Sequence, residues 1–149
     1  MNINSIDDNN KIPLGQLLQK AHTGFQQSLL KRFQGTEWEA LTGADLNLLA
    51  SLNCGATHGS ELARRLGISR QAVNKLLTNL VDIGAVELEI DPKKRNQKII
   101  VITPKGESLI HMALEKMENL EEEIAQKIGE KDASELRRLL EINWGNSLK

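Results

Sequence analysis

Five polar residues near the middle of the chain have the types and spacing to contact a nucleic acid. They are separated by one, three or four positions, so a helix would place all of them on one face. Side chains of these types hydrogen-bond to base edges and to phosphates, and Arg, Gln or Asn can form two such bonds with one base. The pattern predicts a DNA-contacting face made of Arg70, Gln71, Asn74, Lys75 and Thr78.

The stretch 59–77 supplies the helices that must present this face. Ser60 can cap a first helix, Gly67 has the backbone freedom to end it, and Ser69 can cap a second. Both serines are included among the predicted DNA-binding residues. Two short helices joined by a tight turn predict a helix-turn-helix, with an ordinary hairpin of an all-α core as the alternative. The residues expected to point inward are Leu62, Ala63, Leu66, Ala72, Val73, Leu76 and Leu77.

The helical pattern ends at 82–84, and the apolar residues then recur with a period of two. Val86, Leu88 and Ile90 alternate with glutamates, which predicts a strand. A basic turn separates it from a β-branched run over 99–102, so the two strands are expected to form a hairpin. Cationic residues cluster at its tip. We predict that this tip contacts DNA through Lys93, Lys94, Arg95 and Lys98.

Two helices are predicted before the helix-turn-helix. Pro13 can start the first, whose apolar residues recur every three or four positions down to about Gln34. The second is leucine-rich and stops before Gly55. Two pairs of residues resemble capping boxes, one opening a short turn after the first helix and the other opening the second helix. They are Thr36 with Glu39 and Thr42 with Asp45.

Two more helices are predicted after the hairpin. Thr103 can cap a helix that begins at a proline and reaches about Ile128, where Gly129 breaks it. Its apolar residues alternate spacings of three and four, the seam of a helix that packs along another helix. Asp132 would open a last leucine-rich helix that reaches Trp144.

Length and composition indicate an ordinary globular protein. The 149 residues are 40% apolar and 26% charged, which suffices for a folded core. No apolar run reaches the ~18 residues of a membrane span, and the N-terminus lacks the basic and apolar blocks of a signal peptide. A single cysteine allows no internal disulfide. We therefore predict a cytoplasmic protein without a membrane partner.

The net charge of −1 hides an asymmetry along the chain. Residues 59–106 hold nine Lys and Arg against five Asp and Glu, whereas the remainder holds ten against fifteen. The positive charge therefore lies in the segment predicted to contact DNA. The acidic remainder would repel DNA and leave the contact to that segment.

A few residues outside this segment allow other hypotheses. Cys54 could form a reactive thiolate or share a metal with His58, although an unpaired cysteine after a leucine-rich helix is more often a small buried hydrophobe. His111 lies four positions from Glu107 and from Glu115, which suits a solvated helix face better than a metal site. We predict no metal and no cofactor. The sequence contains no Gly-rich phosphate loop or His-centred triad, so an enzyme is not indicated.

In this order of elements the chain closely resembles the MarR family of winged-helix transcriptional regulators. The resemblance extends over nearly all of residues 13–144. Its most specific parts are the Leu-Thr pair at 41–42, the segments 61–63 and 73–74 of the helix-turn-helix, and the run 91–106.

The turn of the hairpin departs from the family pattern. That turn commonly reads Asp-Pro followed by Asp-Arg-Arg. Here Arg95 matches the first arginine, while Lys94 replaces the aspartate and Asn96 replaces the second arginine. Because the usual aspartate would brace the arginine, its absence predicts a less rigid wing.

The resemblance implies a mainly α fold with a small β-hairpin wing. It implies a single MarR-like domain over 1–149, in which the Asn- and Asp-rich composition predicts a disordered tail at 1–11. The dimerisation helices would occupy 12–35 and 104–145, and the winged helix-turn-helix 42–103. Two copies would bind an inverted repeat in double-stranded DNA, each second helix in a major groove and each wing in a minor groove.

The resemblance also implies a regulatory function. It implies a sequence-specific regulator of transcription, more specifically a repressor that a small-molecule effector or a stress signal releases. The effector of such regulators is often an aromatic anion in a cleft beside the dimer helices, and His22, Arg32 and Trp38 are candidates for that cleft. The alternatives are a winged-helix domain that binds only proteins and a regulator that senses oxidants through Cys54.

Overall fold

The computed structural model describes residues 11–144. Within this range the chain forms helices and one two-stranded antiparallel sheet, so the predicted fold class, mainly α with a β-hairpin wing, is confirmed. The predicted tail, apart from Lys11, and Gly145 lie outside the described residues. The elements are α1 Leu14–Lys31, α2 Gly43–Asn53, α3 Gly59–Leu66, α4 Arg70–Asp82, β1 Val86–Ile90, β2 Lys98–Ile102, α5 Pro104–Ile128 and α6 Glu130–Glu141.

The chain divides into two compact units between Gly43 and Ala44, and α1 is the helix of the first. It begins directly after Pro13 and ends at Lys31, earlier than the predicted end near Gln34. Of the apolar residues on its predicted inner face, Leu14 is 63% exposed and Leu17 is 44% exposed. A single chain therefore leaves the first half of this face in contact with solvent.

A compact turn follows α1, and the predicted Thr-Glu pair stabilises it. The Thr36 hydroxyl donates to the carbonyl oxygen of Phe33 at 2.6 Å and accepts from the amide of Trp38 at 3.2 Å. The Glu39 carboxylate accepts from the amide of Gly35 at 3.3 Å. Since Phe33 and Trp38 are both buried, these bonds hold two aromatic side chains in the core.

The second unit begins with α2 and the helix-turn-helix. α2 starts directly after Thr42 and ends before Cys54, as predicted. The prediction that Ser60 caps α3 is wrong. The extended residue before α3 is His58, whose carbonyl oxygen accepts from the amide of Leu62 at 3.1 Å. The helix therefore starts at Gly59, and Ser60 lies exposed in its first turn.

The turn between α3 and α4 forms as the sequence predicts. Gly67 adopts the left-handed conformation, with φ of 65°, which favours glycine. The Ser69 side chain caps α4 by accepting from the amide of Ala72 at 3.0 Å. Leu62 of α3 and Val73 of α4 are fully buried, which leaves the polar face of α4 outside.

The hairpin follows α4 after a turn at Gly84, where φ is 79°. β1 and β2 pair with Val86 opposite Ile102 and Ile90 opposite Lys98. β2 also forms a hydrogen bond outside the hairpin, because the amide of Ile100 donates to the carbonyl oxygen of Thr57 at 2.9 Å. The wing is therefore attached through its backbone to the loop that precedes α3.

Two helices complete the chain. Thr103 caps α5 by accepting from the amide of Gly106 at 3.0 Å, while its hydroxyl donates to the carbonyl oxygen of Gly84. The prediction that Asp132 opens the last helix is wrong. α5 ends at Ile128 and α6 begins at Glu130, because Gly129, with φ of 96°, alone forms the break and serves as the N-cap.

The last helix presents an unburied apolar face. α6 has no buried residue, although the Arg137 guanidinium pairs with the Glu121 carboxylate of α5. The exposed apolar residues in and directly after α6 are Leu136, Leu139, Leu140, Ile142 and Trp144.

In residues 11–144, no helix is long and apolar enough to cross a membrane.

Candidate nucleic-acid interface

The five polar residues predicted for DNA contact lie on the exposed side of α4. Arg70, Gln71, Asn74, Lys75 and Thr78 are all exposed, while Val73 and Leu77 anchor the opposite side in the core. The Thr78 hydroxyl donates to the carbonyl oxygen of Asn74 at 2.9 Å. That hydroxyl therefore uses its hydrogen within the helix and can offer only acceptor lone pairs to a partner.

A cleft of about 330 Å³ separates α4 from the wing. It opens between the start of α3, one edge of α4 and the hairpin, so these three elements face a common space. Most of its polar lining residues can donate hydrogen bonds. They are His58, Ser60, Arg70, Asn74, Asn96, Gln97 and Lys98, and Gly59 also lines the cleft.

Arg70 lies across this cleft, against the beginning of α3. A Cβ atom built on Gly59 would lie 2.7 Å from Nη1 of Arg70, so the guanidinium occupies the space that a side chain at position 59 would need. Arg70 was predicted to contact bases. In the structure its charged group lies beside Gly59, the first residue of α3, and contact with bases stays a prediction.

The cationic residues of the wing lie at the tip of the hairpin. Lys93, Lys94, Arg95 and Lys98 are all exposed. The turn that carries Lys93, Lys94 and Arg95 is closed by two backbone hydrogen bonds, from the amide of Asp91 to the carbonyl oxygen of Gln97 at 2.9 Å and from the amide of Gln97 to the carbonyl oxygen of Lys94 at 2.8 Å. The tip is therefore a defined turn that projects positive charge away from the core.

A buried carboxylate at the base of the wing is the feature that sequence reasoning missed. Asp91 is 4% exposed, and its Oδ2 lies 2.8 Å from Nε2 of His58. Its Oδ1 accepts from the amide of Lys93 at 2.8 Å. The hydrogen bonds from His58 and from the Lys93 amide lower the pKa of Asp91 below its ordinary value. The Thr57 hydroxyl completes the group at 3.0 Å from Nδ1 of His58.

The remaining candidates have simpler environments. Cys54 is exposed, so the interpretation of it as a buried hydrophobe is wrong; it follows the last residue of α2 instead of packing within it. Both ring nitrogens of His58 have protein partners, which leaves neither for a metal shared with Cys54. His111 lies on an exposed helix face, as expected. Among residues 11–144, no three His, Cys, Asp or Glu side chains are grouped as a metal site.

The effector cleft stays a prediction. Trp38 is 3% exposed, so its ring is not available on the surface of the single chain. His22 lies on the exposed surface of α1.

Taken together, the short helix pair, the hairpin and the polar face define a winged helix-turn-helix protein. Comparison with known proteins shows which proteins this segment is similar to. Residues 41–95 match the model of the MarR family. An uncharacterized protein of Mycobacterium tuberculosis is 32% identical over 78 residues, which are 52% of this chain and 54% of that protein. The chain spans about half the length of the curated relatives it matches.

Solved structures of similar fold cover most of the chain. The reduced form of MarR from E. coli has a TM-score of 0.79 at 22% identity, covering 89% of this chain and 96% of that one. The transcriptional regulator Tm0710 from Thermotoga maritima has a TM-score of 0.63 at 25% identity, covering 87% and 90%. The repressor CouR, bound to a 23-mer DNA duplex, has a TM-score of 0.73 at 23% identity, covering 86% and 89%. The family match therefore covers residues 41–95, and over most of the chain these structures share its fold.

Proposed function

We propose that this protein regulates transcription by binding an inverted repeat in double-stranded DNA as a homodimer. The observation that carries the proposal is the common cleft between α4 and the wing. Arg70 and Asn74 line it from the helix, and Lys98 lines it from the hairpin. The polar face of α4 and the basic wing are thus adjacent parts of one surface. The solved structure of CouR on a DNA duplex supports this use of the fold.

The chemistry of the two parts assigns them different tasks. The exposed side of α4 would enter a major groove, where Gln71 and Asn74 can bond to base edges. The wing tip would meet a neighbouring minor groove, where Arg95 would respond to groove width and to phosphate charge. Ser60 and Ser69, at the starts of the two helices, would contact phosphates together with Lys75.

The unburied apolar faces support dimer formation. Leu136 and Leu140 of α6 are 46% and 51% exposed, and Leu14 of α1 is 63% exposed. A second chain covering these side chains would remove them from water. The α4 helix of each chain is the reading helix, the one that would contact bases. Two reading helices related by two-fold symmetry would then contact half-sites roughly 34–36 Å apart.

We further propose that the protein is a repressor without enzymatic activity, in keeping with its match to the MarR family over residues 41–95. A small-molecule effector would release it by favouring a dimer in which the two reading helices no longer match the half-site spacing. In this proposal the effector changes the distance between the two α4 helices of the dimer, whereas the side chains of α4 determine which DNA sequence is bound.

Selection of random DNA duplexes by the purified protein tests the proposal. We expect an enriched inverted repeat whose binding weakens steeply with salt, because displaced counterions dominate such association. A duplex that carries one half-site is the matched control, and it should bind far more weakly than the full repeat. Equal, sequence-independent retention of all duplexes would contradict the proposal, and retention of no duplex would favour a domain that binds only proteins.

A further inference from the structure

We propose that His58 is a positioning residue that orders the turn of the wing and thereby sets where Arg95 meets DNA. The inference rests on the proposed DNA binding, but it concerns a residue that neither the reading helix nor the wing contains. His58 precedes α3, and its side chain reaches the base of the wing.

The backbone of His58 is fixed by the helix that it precedes. Its carbonyl oxygen accepts from the amide of Leu62, a fully buried residue of α3. The ring then spans from this fixed position to Asp91, the first residue after β1, at 2.8 Å. Because Asp91 is 4% exposed, water has little access to compete for this hydrogen bond.

The same carboxylate transmits the position of His58 to the wing turn. Its second oxygen accepts from the amide of Lys93, which fixes the first bend of the turn. The turn then closes through the bond from Gln97 to Lys94, and Arg95 lies between these two residues. His58, Asp91 and the Lys93 amide thus form a continuous path from α3 to the base of the arginine's turn.

This arrangement is a brace for the backbone of the turn that carries Arg95, and not a contact with the arginine side chain itself. The family pattern places an aspartate where this chain has Lys94, so the wing arginine has no carboxylate beside it in sequence. Here the carboxylate that orders the turn is Asp91, and its orientation is held from outside the hairpin by His58.

The hydrogen bond holds whether or not the imidazole is protonated. A neutral ring can donate from Nε2 to Asp91 and accept at Nδ1 from the Thr57 hydroxyl, which satisfies both nitrogens. A protonated ring would still donate to Asp91. The other charged groups that line the cleft with His58 are Arg70 and Lys98. The brace therefore does not depend on a particular charge of His58.

Loss of this side chain should loosen the turn without detaching the hairpin. The amide of Ile100 still donates to the carbonyl oxygen of Thr57, so β2 remains attached to the loop before α3. The hairpin register itself involves only β1 and β2. Effects on DNA binding can therefore be separated from effects on folding.

The test compares His58→Leu with His58→Gln in the full-length protein. The Gln amide can place a donor near the position of Nε2, so His58→Gln should bind the selected operator within about twofold of wild type. We expect His58→Leu to bind several-fold more weakly, most of all on operators with A·T-rich flanks, with the same preferred core sequence. His58→Asn, polar but too short to reach Asp91, replaces the Leu variant if that variant does not fold.

A double-mutant cycle with Arg95→Ala distinguishes positioning from a general structural effect. If His58 acts through Arg95, then Arg95→Ala should weaken binding much less in the His58→Leu background than in wild type. Fully additive losses would overturn the inference, as would unchanged binding by His58→Leu.

A measurement without DNA keeps the inference separate from the proposed function. Amide hydrogen exchange at Lys93 should accelerate in His58→Leu and not in His58→Gln. Unchanged exchange at Lys93 would overturn the brace even if the wild type binds its operator. Wild-type protein that selects no DNA would refute the proposed function, and the exchange result would then decide alone whether the brace exists.

Discussion

Gly106 lies directly against the backbone of Ala85 where α5 begins. A Cβ atom built on Gly106 would lie 2.0 Å from the carbonyl oxygen of Ala85. That oxygen also accepts from the amide of Thr103 at 3.1 Å, which prevents it from moving aside. The start of α5 can therefore approach the segment before β1 only because position 106 has no side chain.

Gly106→Ala should lower the free energy of unfolding by about 1–3 kcal/mol or more, because the added methyl group overpacks a contact made by backbone. Gly24→Ala is the control. A Cβ there meets nothing within 4 Å in the interior of α1, so the same change should raise stability by roughly 0.5–1 kcal/mol. Urea unfolding at one fixed protein concentration measures both. Equal effects of the two variants would show that the approach of α5 to Ala85 is not tight.

Asn74→Ala should reduce affinity for the selected operator by about 1–3 kcal/mol and relax the preference at one or two base pairs, since Asn can bond to adenine through two hydrogen bonds. Asn79→Ala is matched in residue type and exposure but lies on a different face of α4. It should change neither quantity. A panel of operators with single base-pair changes gives the comparison, and an unchanged preference profile for Asn74→Ala would show that this residue does not read a base.

Arg95→Ala should weaken binding to all related operators and lose most on those with A·T-rich flanks, because a cation in a narrow minor groove responds to groove width. Lys94→Ala should lower the slope of affinity against salt by roughly one unit, as expected for one phosphate contact. Lys127→Ala, exposed at the end of α5, should leave the slope unchanged. Matched operators that differ only in their flanks test the arginine, and identical losses on all flanks would exclude it from the minor groove.

Leu140→Glu should shift the protein from dimer to monomer, because a charge would be introduced into an apolar face that a second chain is expected to cover. Asn79→Glu introduces the same charge on α4, outside the terminal helices, and should leave the dimer intact. Light scattering on both variants and on wild type measures the mass. A wild-type protein that is already monomeric would contradict the proposed dimer.

Asp91→Asn should change the acid sensitivity of the fold. The hydrogen bonds to His58 and Lys93 hold the pKa of Asp91 below its ordinary value, so the carboxylate stabilises the folded state at pH above the unfolded pKa of about 3.9. This stabilisation is lost as pH falls through the lower, folded pKa. The free energy of unfolding should therefore fall less steeply below pH ~4 in Asp91→Asn than in wild type. Asp82→Asn, at an exposed position, is the control, and equal slopes in all three proteins would argue against the role of Asp91.

Much of the fold was predictable because its signals are local. Ser69 caps α4, Gly67 ends α3 in a left-handed conformation, and Thr103 caps α5. Each of these signals depends on contacts within a few positions. The change of period at Val86 likewise marks the strand directly. The wrong predictions at Ser60 and Asp132 have one origin. Both residues are of types that commonly cap helices, whereas the residues that in fact precede the helices, His58 and Gly129, form no side-chain cap.

The less predictable features depend on contacts between distant parts of the chain. No local pattern connects His58 with Asp91, because the pair forms only once the hairpin has folded back on the start of α3. The tight contact between Gly106 and Ala85 is of the same kind. In both cases the sequence shows a residue whose role is fixed by a partner that only the tertiary structure supplies.

The hydrogen bond between Ile100 and Thr57 has a consequence for the order of folding. Thr57 precedes α3 and Ile100 lies in β2, so α3, α4 and β1 all lie between them in the chain. A long loop must therefore close before the bond can form. The contact between α3 and α4 requires only a short loop. We expect the helix pair to be structured in the folding transition state and the wing to attach afterwards, so Ile100→Val should mainly accelerate unfolding while Leu62→Ala slows folding. Stopped-flow kinetics that show the opposite pattern would place the wing in the folding nucleus.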